Sequence, residues 1–227
     1  EAKVSNRRQL LNAYDNSIRS TDRFLSLLIR QLDRSGAVSA MLYTSDHGSH
    51  FKTRNRDGHL CGYDDYKRSM HDACLRVPLV VTGGEFTGGG VVTDLISTAG
   101  LPKTILGIAG VDVGDKMIGE DFADVLHKTD PDRSNEVFAQ ISESRVGRAI
   151  RTADYAYSVY APGINGGEAA AADTYADDFL YDLERDPWEL TNLVADPAYR
   201  EQKLLLRQKL LEWIWEAEGA RPSIIDG

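Results

Sequence analysis

Residues 38–43, V-S-A-M-L-Y, form a short β-rich run that stops without a turn at the polar cluster Thr44-Ser45-Asp46-His47-Gly48. Residues 77–81, V-P-L-V-V, form a second such run. Apolar runs of this length bounded by polar segments are how buried strands read. The stretch between them, 49–66, is polar, basic and glycine-containing, as a loop returning to a sheet would be. Ahead of the first run, Leu11, Tyr14, Ile18, Leu25, Leu28 and Leu32 recur at helical spacing across 6–34, with Ser35-Gly36 as a stop, predicting one or two amphipathic helices. Behind the second, 82–90 is a glycine-rich turn, and Leu95, Leu101, Ile105 and Ile108 suit a helix over 94–109 packed on a sheet. Strands alternating with helices predict α/β architecture, with chemistry at the polar strand ends.

The pattern changes after the linker-like T-D-P-D-R-S-N at 129–135. Short segments at 137–141, 148–152, 155–160 and 179–183, separated by polar turns, predict antiparallel strands. A helix over 197–218 carries Leu206, Leu210, Trp213 and Ile214 on one face and is expected to cover that small sheet. The glycine- and alanine-rich 163–172 reads as a flexible excursion between strands. The expected organisation is an α/β portion over 1–130 and a small α+β unit over 131–227.

With 35 acidic against 26 basic residues the net charge is −9, which leaves no basic face for a phosphate backbone and argues against nucleic acid. An anionic substrate must then be held locally. No stretch approaches the roughly 18 apolar residues of a membrane span, and the opening E-A-K-V-S-N-R-R-Q-L lacks the plan of a signal peptide. The compartment stays open between cytoplasm and periplasm or exterior. The chain starts without Met and runs directly into a helical pattern, which leads us to expect a piece of a longer protein. Cys61 and Cys74 show no C-x-x-C spacing and read as buried or idle thiols.

Asp46 and His47, adjacent at a strand end, offer a hard carboxylate oxygen and an imidazole to one cation or one anionic group. The same tripeptide also fits a plain turn in which Asp46 caps and His47 faces solvent. Lys67 precedes the second strand, so its ammonium group stands where it can share a sheet edge with Asp46 and His47. An ammonium beside a divalent cation suits a sulfate or phosphate, because both stabilise charge on nonbridging and leaving oxygens. A solvated lysine is the alternative. His50 and His71 lie near these residues and can contact substrate or donate a proton to a leaving oxygen, or serve as hydrogen-bonded structural histidines.

The succession T-S-D-H-G at 44–48, Y-K-R-S-M-H-D-A at 66–73 and L-R-V-P-L-V-V at 75–81 resembles the sulfatase family of the alkaline-phosphatase superfamily. The later P-K-T-I-L-G-I-A-G at 102–110, M-I-G-E-D-F at 117–122 and L-Y-D-L-E-R-D-P-W-E-L-T-N-L at 180–193 are similar to its downstream landmarks, so the resemblance covers nearly the whole chain. It implies the C-terminal half of such an enzyme: part of an α/β/α sheet domain followed by a small antiparallel sheet with a packed helix. Asp46 and His47 would be two ligands of a divalent cation, usually calcium. Many members carry Asp-Asn there, so His47 leaves Mn, Mg and Zn open. Lys67, heading a K-x-x-x-x-E/D pattern with Asp72, would hold a sulfate oxygen and offset leaving-group charge. The segment 140–148 could reach over the pocket or form the solvent face of an edge strand.

The family nucleophile is a formylglycine made from cysteine or serine in C/S-x-P-x-R, which neither Cys61 nor Cys74 fits. The resemblance therefore places it, with further metal carboxylates, on an N-terminal half expected as this chain's partner. The implied activity is hydrolysis of a small-molecule or sugar sulfate ester, with no turnover by this chain alone. Two rivals remain: a phosphate or phosphonate ester hydrolase of the same superfamily, and a noncatalytic fragment or binding module.

Overall fold

The computed structural model describes residues 2–36, 39–49, 55–56, 59–60, 68–112, 114, 117–143 and 145–227. In chain order these form α1 (Ala2–Ser35), β1 (Met41–Thr44), β2 (Asn55–Arg56), β3 (His59–Leu60), α2 (Asp72–Leu75), β4 (Leu79–Thr82), α3 (Leu101–Ile108) and α4 (Phe122–His127). Then follow β5 (Glu136–Ser142), β6 (Val146–Thr152), β7 (Tyr155–Tyr160), β8 (Thr174–Asp182), α5 (Arg200–Glu218) and β9 (Ser223–Ile225). Tight 3-10 turns at Thr98–Gly100 and Pro197–Tyr199 lead into α3 and α5. The chain divides into one unit of residues 1–44 and 78–88 and another of 45–77 and 89–227.

The first unit holds α1, β1 and β4. The predicted helical stretch is one continuous helix, closed by Gly36 at φ +64°, a left-handed conformation that glycine adopts without steric cost. β1 and β4 pair antiparallel with Thr44 opposite Leu79, so the intervening loop leaves and re-enters at one end of the ribbon.

In the second unit the strands β5-β6-β7-β8-β9 form one sheet, antiparallel except for the parallel β8–β9 pair. The period-two alternation of the strands decides its packing. Val146, Ile150, Tyr157, Val159 and Leu180 pack with Leu206, Leu210 and Ile214 of α5. The residues between them, Ala149, Ala156, Phe179 and Tyr181, pack on the other face with Met70 and Leu75 from the segment around α2. Burial on both faces explains why these strands show no simple apolar–polar alternation. Arg148, on the α5 face, is 2% exposed and bonds Glu218 at 2.5 Å through Nε.

Two local expectations are corrected. The helix expected over 94–109 is confined to Leu101–Ile108, because the Ser97 hydroxyl accepts from Ala99 N–H to make a separate 3-10 turn and Pro102 sets the helix start. The excursion at 163–172 is anchored: Arg148 Nη2 donates to Ala170 O at 2.9 Å and the Ala172 N–H donates to the Tyr175 hydroxyl at 3.2 Å. The sequence signal for β9 was too short to see, since three residues carry no period.

Candidate functional site

The loop after β1 is organised by its own polar atoms. Ser45 Oγ donates to His47 O at 2.9 Å, and the His47 N–H donates to Asp46 Oδ1 at 3.0 Å. That backbone donor, opposed by slight desolvation, holds the Asp46 carboxyl below the ordinary aspartate range, so it is ionised at neutral pH. His47 Nδ1 lies 2.7 Å from Gly48 O. A carbonyl can only accept, so Nδ1 carries the proton there and a neutral ring has its lone pair on Nε2. Nε2 stands 3.5 Å from Asp46 Oδ2.

A lone pair and a carboxylate oxygen facing each other at that separation repel unless a proton or a cation lies between them. Donors about 2.0–2.5 Å from a common ion stand about this far apart, and a ligand imidazole commonly donates its other N–H to a carbonyl. The pair therefore fits two adjacent positions of a divalent cation's shell. Asp46 has 84% of its side chain exposed, so the pair is an open edge rather than a closed site. Among the described residues no group of three or more His, Cys, Asp or Glu is arranged to hold a metal ion.

Gly48 links this loop to α2. Its N–H donates to Cys74 O at 2.7 Å, and a Cβ at this position would overlap the Ala73 carbonyl oxygen. Only glycine allows the loop to lie this close to the helix. On its other side α2 is held by the five-stranded sheet and its loops. Arg151 Nε and Nη2 meet Asp72 Oδ1 and Oδ2 at 3.0 and 3.1 Å, a fork-to-fork pair. The Asp72 N–H donates to Glu189 Oε1 and Oε2 at 3.2 and 3.1 Å.

His71 is interior at 3% exposure, with Nδ1 2.8 Å from Ser69 Oγ, Nε2 3.4 Å from the Tyr181 hydroxyl, and its ring stacked on Phe179 at 4.4 Å. Cys74 is buried, and its Sγ accepts from Ser69 Oγ at 3.6 Å. Arg68 Nε lies 3.4 Å from Glu143 Oε1, which brings the β5–β6 hairpin tip, within the 140–148 segment, beside residue 68. Lys67, His50 and Cys61 lie outside the described residues. Sequence reasoning missed Arg151 and Glu189. The D-P-W-E-L-T-N-L string was a landmark without a role, and the structure gives it one. Asp186 Oδ2 accepts from Leu190 and Thr191 N–H at 2.6 and 2.7 Å. Asn192 bridges Leu180 N–H and Asp178 O at 3.0 and 2.9 Å, fixing the loop that aims Glu189 at α2.

Two family descriptions match: Sulfatase over residues 1–111, and N-sulphoglucosamine sulphohydrolase, C-terminal, over residues 61–216. The second spans well over half the sequence, and the chain belongs to the sulfatase family as a C-terminal portion. It is 25% identical to an ulvan-active sulfatase of Formosa agariphila, covering 89% of this chain and 38% of that protein. A solved structure in complex with its substrate, D-glucosamine-2-N,6-O-disulfate, superposes with a TM-score of 0.68 at 22% identity, covering 90% of this chain and 40% of that one. A phosphonate monoester hydrolase from Silicibacter pomeroyi gives 0.66 at 20% identity, covering 86% and 38%. These likenesses establish the alkaline-phosphatase-like fold with its small C-terminal sheet, and the chain spans less than half the length of each protein compared. Among the described residues no helix is long and apolar enough to cross a membrane.

Proposed function

We propose that this chain is the C-terminal portion of a metal-dependent sulfuric ester hydrolase acting on a sulfated sugar. The observation that carries the reading is the Asp46–His47 edge, with Nδ1 tied to Gly48 O and Nε2 set 3.5 Å from a carboxylate oxygen held ionised. Asp46 and His47 are two ligands of a divalent cation, calcium in the first instance, which when bound supplies charge stabilisation to sulfuryl oxygens. Lys67 holds a sulfate oxygen and offsets charge on the leaving group. The nucleophile is a formylglycine on the N-terminal part of the same enzyme, and this chain alone does not turn over. The sugar assignment draws on the relatives: one acts on ulvan and a structural neighbour holds a disulfated glucosamine.

The phosphonate hydrolase neighbour keeps a second reading in view, the same scaffold acting on a phosphate or phosphonate ester. Denaturing mass spectrometry of the purified protein decides first. A C/S-x-P-x-R peptide with its cysteine or serine oxidised to formylglycine is expected. Calcium-dependent hydrolysis of an aryl sulfate, lost with a chelator and at least tenfold faster than hydrolysis of the aryl phosphonate, is expected next. Preference for the phosphonate would install the second reading. No activity on either ester with the formylglycine part present would leave a noncatalytic module.

A further inference from the structure

Glu189 is one of two non-glycine residues with positive φ among the described residues, at +54°. An L-residue keeps that strained conformation only where its surroundings hold it, and such strain gathers at functional sites. Its carboxylate is buried, the residue being 2% exposed, and both oxygens take the Asp72 backbone N–H. Arg151 grips the Asp72 side chain with two parallel hydrogen bonds. Two groups from separate parts of the C-terminal unit thus converge on one residue of a four-residue helix.

That helix has a single turn, and while Leu75 and the preceding Met70 pack on the sheet, apolar contact is non-directional, so its orientation is fixed by these directional bonds. The same helix receives Gly48 through Cys74 O, at a contact where no Cβ fits, and Gly48 directly follows Asp46 and His47. A displacement of α2 must therefore displace the loop that carries the ligand pair. The run of contacts passes from Arg151 and Glu189 to Asp72, along α2 to Cys74, and through Gly48 to His47.

We propose that Arg151 and Glu189 are positioning residues for the Asp46–His47 pair, acting through Asp72 and the Gly48–Cys74 hydrogen bond. The inference rests on the reading of that pair as metal ligands, and it assigns the C-terminal sheet a share in metal affinity. Outer partners of metal ligands commonly change affinity about 10–100-fold when removed.

Amide hydrogen exchange by NMR on the full chain tests it without recourse to activity. In Arg151→Gln and Asp72→Asn the Gly48 amide is expected to exchange about tenfold faster, while the β7 and β8 ladder amides keep their protection. Arg151→Lys should recover part of the effect. Glu189→Gly, which suits the positive φ, should leave the ladder intact and still expose Gly48. Unchanged Gly48 exchange in these variants overturns the proposal, as does an equal rise across the ladder, which would mark a merely structural role. Calcium titration of the chain together with its N-terminal part, followed at the Gly48 amide, separates the two claims. A response that weakens about tenfold in Arg151→Gln supports the inference, whereas a wild-type amide that ignores calcium overturns the metal assignment whatever the exchange result.

Discussion

The two faces of the five-stranded sheet are built from alternate residues of the same strands and held by different physics. On one, Ile150, Tyr157 and Leu180 meet Leu206, Leu210 and Ile214 across an apolar contact bordered by ion pairs from α5 to the sheet, Glu218 with Arg148, Arg207 with Asp177 and Lys209 with Glu136. On the other, Ala149, Ala156, Phe179 and Tyr181 meet Met70 and Leu75, and the segment is fixed by Arg151 and Glu189 on Asp72. Apolar burial is strong and non-directional, so it stabilises a helix without setting its place closely. Hydrogen bonds contribute less but fix direction. One face holds the fold, and the other orients α2 and the Gly48 contact through which the proposed ligand pair would be aimed.

Substitutions on the α5 face should break the fold. Leu210→Ala, at a position with no exposure, is expected to cost about 2–5 kcal/mol in urea unfolding. A loss under about 1 kcal/mol would mean that α5 is not the main support of the sheet. Glu218→Ala, which leaves the buried Arg148 without its carboxylate, should cost about 3 kcal/mol, less if water reaches the guanidinium. On the α2 face, Asp72→Asn loses a partly exposed pair and should cost about 1 kcal/mol globally while loosening Gly48. If it unfolds the chain as readily as Leu210→Ala does, the contrast between the faces fails.

The α5 face was legible because its signals are local: the short strand runs between polar turns at 148–152 and 155–160 and the helical spacing of Leu206, Leu210 and Ile214 each lie within a few residues. The Asp46–His47 loop was legible as an abrupt change from apolar strand to ionisable cluster. The α2 face was not. Arg151 and Asp72 stand 79 residues apart and Glu189 and Asp72 stand 117 apart, and no local period announces a contact of that range. Glu189 carries no sign in sequence that its φ is positive, since glycine and asparagine are the residues that advertise it. The 163–172 stretch misled because its composition reads as flexible, while its anchoring comes from Arg148, a residue of another strand.

Acid should sharpen the comparison, acting on the α5 face through Glu136. Its carboxylate takes Lys209 Nζ at 2.5 Å and Trp213 Nε1 at 2.9 Å. Burial pushes its pKa up, but hydrogen bonds from Lys209, Trp213 and Ser134 outweigh that and leave it below the ordinary glutamate value. A folded-state pKa below the unfolded one means that the unfolded chain binds the proton more readily. The stabilisation is therefore fully present above the unfolded-state pKa and is lost as pH falls through the folded one. Glu136→Gln removes the titration, so the difference in urea midpoint between wild type and variant should shrink steadily from neutral pH into the region below the ordinary glutamate range. The whole effect should stay under about 1 kcal/mol. A difference that grows on acidification would mean that burial dominates and that the Lys209 contact is not the stabilising one. The same titration in Asp72→Asn should leave the Glu136 difference unchanged, because the sheet lies between the two carboxylates and they share no partner.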